Sequence, residues 1–244
     1  MSTIGSNLQG VRDRLVAACA AAGRVPGSVS LLAVSKTFGA DAVRAAYEAG
    51  QRAFGENYVQ EGVDKICLLR QEGLAGLEWH CIGPLQSNKT RQVAEHFDWV
   101  HTIDRLKVAQ RLNEQRPAGM APLQVCVQVN LDGGANKSGV APQDALELVR
   151  AVAALPRLRL RGLMAIPEPN DHPAELQAVM QGLPALLHTL NAELLAGGQL
   201  QIPMDTVSMG MSNDLETAVA AGSTMVRVGS AIFGTRAPKA TPAG

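Results

Sequence analysis

Leu31-Leu32-Ala33-Val34-Ser35-Lys36-Thr37 runs four apolar residues straight into a polar turn that carries a lysine. A run this short and this apolar predicts a strand buried on both faces, with the lysine where the strand ends. Burying an ammonium is costly unless it is paired, or unless its pKa falls and it becomes neutral. Lys36 is therefore a candidate amine nucleophile. The plainer reading is that it snorkels to solvent from a strand end. This stretch alone leaves both readings open.

The same alternation recurs outward from it. Upstream, Leu8, Val11, Leu15 and Ala18 fall at helical spacing, and Gly23 and Pro26 stop that helix. Downstream, short apolar runs predict strands over 52–54, 78–82, 98–101, 123–129, 158–164, 205–208 and 225–228. Helical spacing fills each gap. The longest such stretch, through Leu176, Val179, Leu183 and Leu187, is expected to bend or break at Pro184. Ser212 or Asn213 is expected to cap the helix that Gly222 ends. Strict alternation of strand and helix implies a parallel sheet. Eight units in a chain of 244 residues predict an α/β fold, a single (β/α)8 TIM-type barrel with an extra N-terminal helix. A doubly wound sheet is the alternative. It usually carries G-x-G-x-x-G after the first strand, and no such motif follows Val34. No composition break marks a second domain. One domain over 1–236 and a loose tail over 237–244 are expected.

Composition narrows the function. Formal net charge is zero, with 22 basic and 22 acidic residues, which argues against a nucleic-acid partner. No apolar run reaches the roughly 18 residues of a membrane span. Met1-Ser2-Thr3-Ile4-Gly5 lacks a charged-then-apolar leader, so no secretory signal is expected. Cys19, Cys67, Cys81 and Cys126 form no C-x-x-C pair and read as reduced thiols of a cytoplasmic protein.

Function in such a barrel collects at the C-terminal strand ends. Those ends carry Lys36, Glu56, Asn57, His80, His101, Thr102, Asn130, Met164, Ser208 and Arg227. Ser208-Met209-Gly210-Met211-Ser212-Asn213-Asp214 follows the seventh strand and Gly229-Ser230 the eighth. Both offer hydroxyls and backbone N–H groups where this fold usually holds a phosphate; a plain helix cap is the alternative for Ser212-Asn213. A lysine, a phosphate cradle and a charged partner for a ring nitrogen are what pyridoxal 5'-phosphate (PLP) requires. Arg227 at that nitrogen would leave it unprotonated, because guanidinium donates and does not accept. An ion pair of Arg227 with Glu56 or Asp205 is the structural alternative. The loop Asp132-Gly133-Gly134-Ala135-Asn136-Lys137-Ser138-Gly139 is no P-loop, since Asn136 stands where glycine must precede Lys-Ser. His80 has no second ligand at metal spacing, so no metal is expected.

Seven stretches then carry a family resemblance. They are Ala33-Val34-Ser35-Lys36-Thr37, Phe54-Gly55-Glu56-Asn57, the run from Trp79 to Lys89, Lys137-Ser138-Gly139, Gly162-Leu163-Met164, Ser208-Met209-Gly210-Met211-Ser212 and the run from Arg227 to Gly234. From about Leu8 to Arg236 the chain resembles the pyridoxal phosphate homeostasis proteins, which are related to the N-terminal barrel of alanine racemase. The resemblance implies that Lys36 is the Schiff-base lysine. It implies that Ser208, Gly210, Met211, Ser212, Gly229 and Ser230 line the phosphate, and that Asn57 and Arg227 flank the ring. It implies an intracellular role in vitamin B6 homeostasis without robust turnover, as a monomer, with PLP-dependent apo-enzymes as transient partners. A small monomeric amino-acid racemase, with His80 or Lys137 as the second base, is the alternative. Phe38-Gly39, Tyr58 and Cys81 depart from the family's usual residues.

Overall fold

The computed structural model describes residues 2–134 and 138–234. Eight parallel strands close into a barrel in chain order. They are β1 (Ser30–Val34), β2 (Ala53–Glu56), β3 (Glu78–Cys81), β4 (Trp99–Ile103), β5 (Leu123–Gln128), β6 (Leu158–Met164), β7 (Thr206–Ser208) and β8 (Met225–Val228). Closure is made by β1 against β8, with Ser30 opposite Met225 and Ala33 opposite Val228. Around the barrel stand α2 (Ala40–Glu48), α3 (Val59–Gln71), α4 (Thr90–His96), α5 (Leu106–Gln115), α6 (Ala145–Ala153), α7 (Pro173–Ala196) and α8 (Leu215–Ala220). The extra helix α1 (Thr3–Ala21) precedes them, opened by the Ser2 hydroxyl accepting from the Gly5 N–H at 3.1 Å.

The expected architecture stands, with three differences of detail. One further turn of helix, α9 (Ser230–Phe233), follows β8. The helix after β7 starts at Leu215, so neither Ser212 nor Asn213 caps it; Asp214 precedes it and accepts from the Met211 N–H. Helix α7 runs unbroken through Pro184. Its apolar stripe of Met180, Leu183, Leu187 and Leu190 is buried on both sides of the proline, and that burial outweighs the one lost backbone bond.

Two apolar regions result. The larger lies between strands and helices and includes Leu8, Phe54, Phe97 and Met180. The barrel interior holds two small clusters, Leu32 with Val34, Ile82 and Met225, and Trp99 with Cys126 and Met164. His80, His101, Ser208 and Arg227 are also fully or almost fully buried. A strand alternates its faces every residue. His80 therefore shares an interior face with Ile82, and Arg227 with Met225.

Candidate functional site

The C-terminal strand ends, the upper mouth of the barrel, open on a cleft of about 520 Å³, within the range of small-molecule sites. Lys36, Asn57, Met211, Ser212, Arg227, Gly229 and Ser230 all line it. Of the residues expected to hold the cofactor, Ser208 and Gly210 stand behind this lining.

Lys36 is presented by a tight turn. The Phe38 N–H donates to the Ser35 carbonyl at 3.1 Å, and Thr37 has φ of 69°. A turn of that hand favours glycine at this position, and a β-branched residue is strained there. A buried ionic network holds it. The Lys65 ammonium donates to the Ser35 carbonyl at 2.8 Å, to Glu56 at 2.8 Å and to Glu61 at 2.7 Å. The Ser35 hydroxyl donates to Glu56 at 2.6 Å, and the Thr37 N–H donates to Glu61 at 2.5 Å. Both neighbours of Lys36 are thus anchored. Burial raises the Glu56 carboxyl, against the pull of Lys65 and Ser35.

The opposite wall is built from backbone. Gly210 has φ of +97°, and a Cβ there would stand 2.4 Å from the Ala218 Cβ, so only glycine fits. A Cβ on Gly229 would lie 3.1 Å from the Val34 carbonyl oxygen, which shows how closely the β8 loop backs onto β1. The Ser212 and Ser230 hydroxyls meet at 3.2 Å. From outside, Arg14 of α1 donates to the Ser212 carbonyl at 3.2 Å and pairs with Glu216 at 2.9 Å. The extra N-terminal helix therefore supports the Ser212 loop.

Between these walls sits Arg227, only 4 % exposed. It donates to the Ser208 hydroxyl at 2.8 Å and to the Ala165 carbonyl at 3.0 Å. Burial lowers its guanidinium to about 10, which leaves it cationic at neutral pH. The ion-pair alternative for Arg227 is corrected here. Glu56 is bonded to Lys65, and Asp205 to Arg161 at 2.7 Å. Ser208 is buried beneath Arg227, and the Gly210 carbonyl accepts from the Arg227 backbone N–H at 2.9 Å.

His80 is corrected too. It does not face the cleft as a base. Its Nε2 is 2.8 Å from a Glu78 carboxylate oxygen and its Nδ1 is 2.9 Å from His101 Nε2. His101 Nδ1 is 2.8 Å from the Ser208 hydroxyl. Burial pushes both imidazoles below the usual histidine range, His101 well below it. Sequence reasoning noted both histidines and missed that they join, and it missed Glu78. The signal was available in part: Glu78 and His80 are two apart on one strand and so share a face. Lys137 lies outside the described residues.

The N-terminal strand ends form a second cleft of about 440 Å³, lined by Glu78, Trp99, Gln124, Arg161 and Asp205 among others. Among the described residues no group of three or more histidines, cysteines or carboxylates could hold a metal ion. No helix there is long and apolar enough to cross a membrane. All four cysteines are free.

Comparison with known proteins adds to this geometry. The family model described as alanine racemase, N-terminal domain, matches residues 7–237. The pyridoxal phosphate homeostasis protein of Escherichia coli (strain K12) is 55% identical over 237 residues, 97% of this chain and 98% of that one. The structure of PipY of Synechococcus elongatus PCC7942 with PLP bound superposes with a TM-score of 0.79 at 36% identity, covering 95% of this chain and 100% of that one. Alanine racemase of Corynebacterium glutamicum shares the fold at 19% identity and a TM-score of 0.65; the match covers 96% of this chain and 61% of the racemase.

Proposed function

We propose a function from one premise: the chain belongs to the pyridoxal phosphate homeostasis protein family, within the larger group that shares the alanine racemase N-terminal barrel. It binds PLP in the upper cleft, held as a Schiff base on Lys36, and serves intracellular PLP homeostasis without robust turnover. The observation that carries this is the convergence of Lys36, Asn57, Ser212, Arg227, Gly229 and Ser230 on one cleft from four separate strands.

The residues present fit the cofactor. Asn57 Oδ1 is buried with no hydrogen-bond partner in the protein, and it belongs to a residue lining the cleft. A buried acceptor of that kind calls for a donor from a ligand. Ser212, Ser230 and the backbone N–H groups around them would take the phosphate. Arg227 would donate to the ring nitrogen. Bound PLP supplies an aldehyde that condenses reversibly with an amine. The protein's part is to present the Lys36 amine on a fixed turn, to orient the ring and to retain the phosphate while the amine exchanges.

That division suits a carrier. A racemase needs a second acid–base group on the far side of the ring. His80 is enclosed in the barrel, and 39% of the racemase chain has no counterpart in the match. The assignment extends to a cytoplasmic monomer whose one domain spans 1–236, and which meets PLP-dependent apo-enzymes transiently.

The test is direct. Lys36→Ala should stay folded and lose the visible absorbance of lysine-bound PLP; a full band in that variant would move the attachment elsewhere, with Lys137 the next candidate. Incubation of the loaded protein with D- and L-alanine should give negligible racemisation. Fast turnover would establish the racemase reading instead.

A further inference from the structure

The barrel interior contains a continuous hydrogen-bonded chain from one mouth to the other: Glu78, His80, His101, Ser208, Arg227. Its successive contacts are 2.8, 2.9, 2.8 and 2.8 Å. Glu78 stands at the lower cleft with its side chain 44 % exposed, whereas His80 is fully buried. Arg227 stands at the upper cleft.

The chemistry of the two ends dictates the direction of every bond between them. An ionised carboxylate only accepts, so His80 keeps its proton on Nε2 and donates a hydrogen bond from it to Glu78. His80 Nδ1 is then bare and must accept, so His101 also carries its proton on Nε2. His101 Nδ1 is bare in turn and accepts the Ser208 hydroxyl hydrogen. The Ser208 oxygen is left as an acceptor, which is what a guanidinium requires, because it only donates. The dipoles of the three neutral groups align between an anion and a cation, and aligned hydrogen bonds strengthen one another. Reversed, the chain would have His101 and Arg227 both donating to Ser208, whose own hydrogen would lose the acceptor that His101 provides.

We propose that Glu78, at the mouth opposite the PLP cleft, is a positioning residue that orients Arg227 toward the cofactor's ring nitrogen through this one-way chain. The proposal rests on the reading that Arg227 faces that nitrogen. Ser208 and Ala165 fix two guanidinium nitrogens, Nη1 and Nη2, which sets the plane in which Arg227 presents its other N–H groups to the cleft. Removing the charge from Glu78 releases the tautomer of His80, then that of His101, then the Ser208 hydroxyl. The consequence is felt at Arg227, at the opposite end of the barrel.

Two measurements test this. In the ligand-free protein, ¹⁵N NMR of histidine-labelled samples at neutral pH should show His80 and His101 as neutral Nε2–H tautomers. An Nδ1–H tautomer or an imidazolium at either ring would overturn the chain. The second measurement compares PLP with its 1-deaza analogue, in which a C–H replaces the ring nitrogen, on wild type, Glu78→Gln and Arg227→Gln. Glu78→Gln should weaken PLP by about threefold to tenfold and leave the analogue within about twofold of wild type. Equal losses for both ligands, or no loss for PLP, would overturn the proposal, since a structural defect does not distinguish a nitrogen from a C–H. If Arg227→Gln discriminates between the ligands and Glu78→Gln does not, the inference fails while the ring-nitrogen reading stands. If Arg227→Gln weakens both equally, that reading fails first.

Discussion

The two mouths of the barrel are made by the same eight strands and treat their polar groups in opposite ways. At the lower mouth the charged side chains pair with their neighbours. Arg161 pairs with Asp205, donates to Gln124 and lies 4.7 Å from the centre of the Trp99 ring. At the upper mouth polar groups are placed and then left for something else. Asn57 Oδ1 is buried without a partner in the protein, and the Ser212 and Ser230 hydroxyls contact each other at a long 3.2 Å. The ionic bonding there sits one layer below, in the Lys65–Glu56–Glu61 network that holds the Lys36 turn. A mouth that binds must keep donors and acceptors uncommitted, and the cost of placing them falls on the layer beneath. A mouth that does not itself hold the cofactor has no such requirement.

The sharpest way to break this contrast is to cut the upper network. Lys65→Met leaves the Glu56 carboxyl buried without its cation and should destabilise the protein by about 3–5 kcal/mol, read as a lower urea midpoint. Adding Glu56→Gln should recover a large part of it. A loss below about 1 kcal/mol would mean that the network behaves as an exposed ion pair. Next in size are the hydroxyls. Ser212→Ala or Ser230→Ala should each weaken PLP by about 1.5–3 kcal/mol and pyridoxal hardly at all, measured by titration of both vitamers. Equal affinity of wild type for the two vitamers would remove the phosphate cradle.

The interior between the mouths predicts a pH effect. His80 and His101 have folded-state pKa values below their unfolded value near 6.5. Below that pH the unfolded chain binds more protons than the folded one, so stability is full above about 6.5 and falls as pH drops. Each histidine contributes a slope of at most about 1.4 kcal/mol per pH unit. A urea midpoint flat from pH 7 to 5.5 would show that the two rings do not stay neutral. The smallest effect belongs to the lower mouth. Arg161→Met removes an ion pair with a half-exposed aspartate and should cost less than about 1 kcal/mol, with PLP affinity unchanged.

The sequence by itself determined the barrel and most of its upper rim. Eight short apolar runs separated by helical spacing admit few other folds, because each strand must hide both faces and each helix one. Strand polarity then sends every loop that follows a strand to the same end. That is why Lys36, Asn57, Ser212, Gly229 and Ser230 could be grouped while 194 residues separate the first from the last in number. Tertiary structure decided what lies inside the barrel and what lies beneath the rim. Ser208 looked like a phosphate residue because its loop is rich in hydroxyls, yet β7 ends with its side chain turned inward to His101 and Arg227. Lys65 stands between Val63 and Ile66 with nothing in the sequence to single it out. Only the packing of α3 against the β1 turn brings its ammonium to Ser35, two bonds of backbone from the lysine that matters. Periodicity along a strand or helix reports which face is buried. It carries no record of which buried polar groups from different strands will meet, because hydrogen bonds depend on distances across the barrel that closure alone sets.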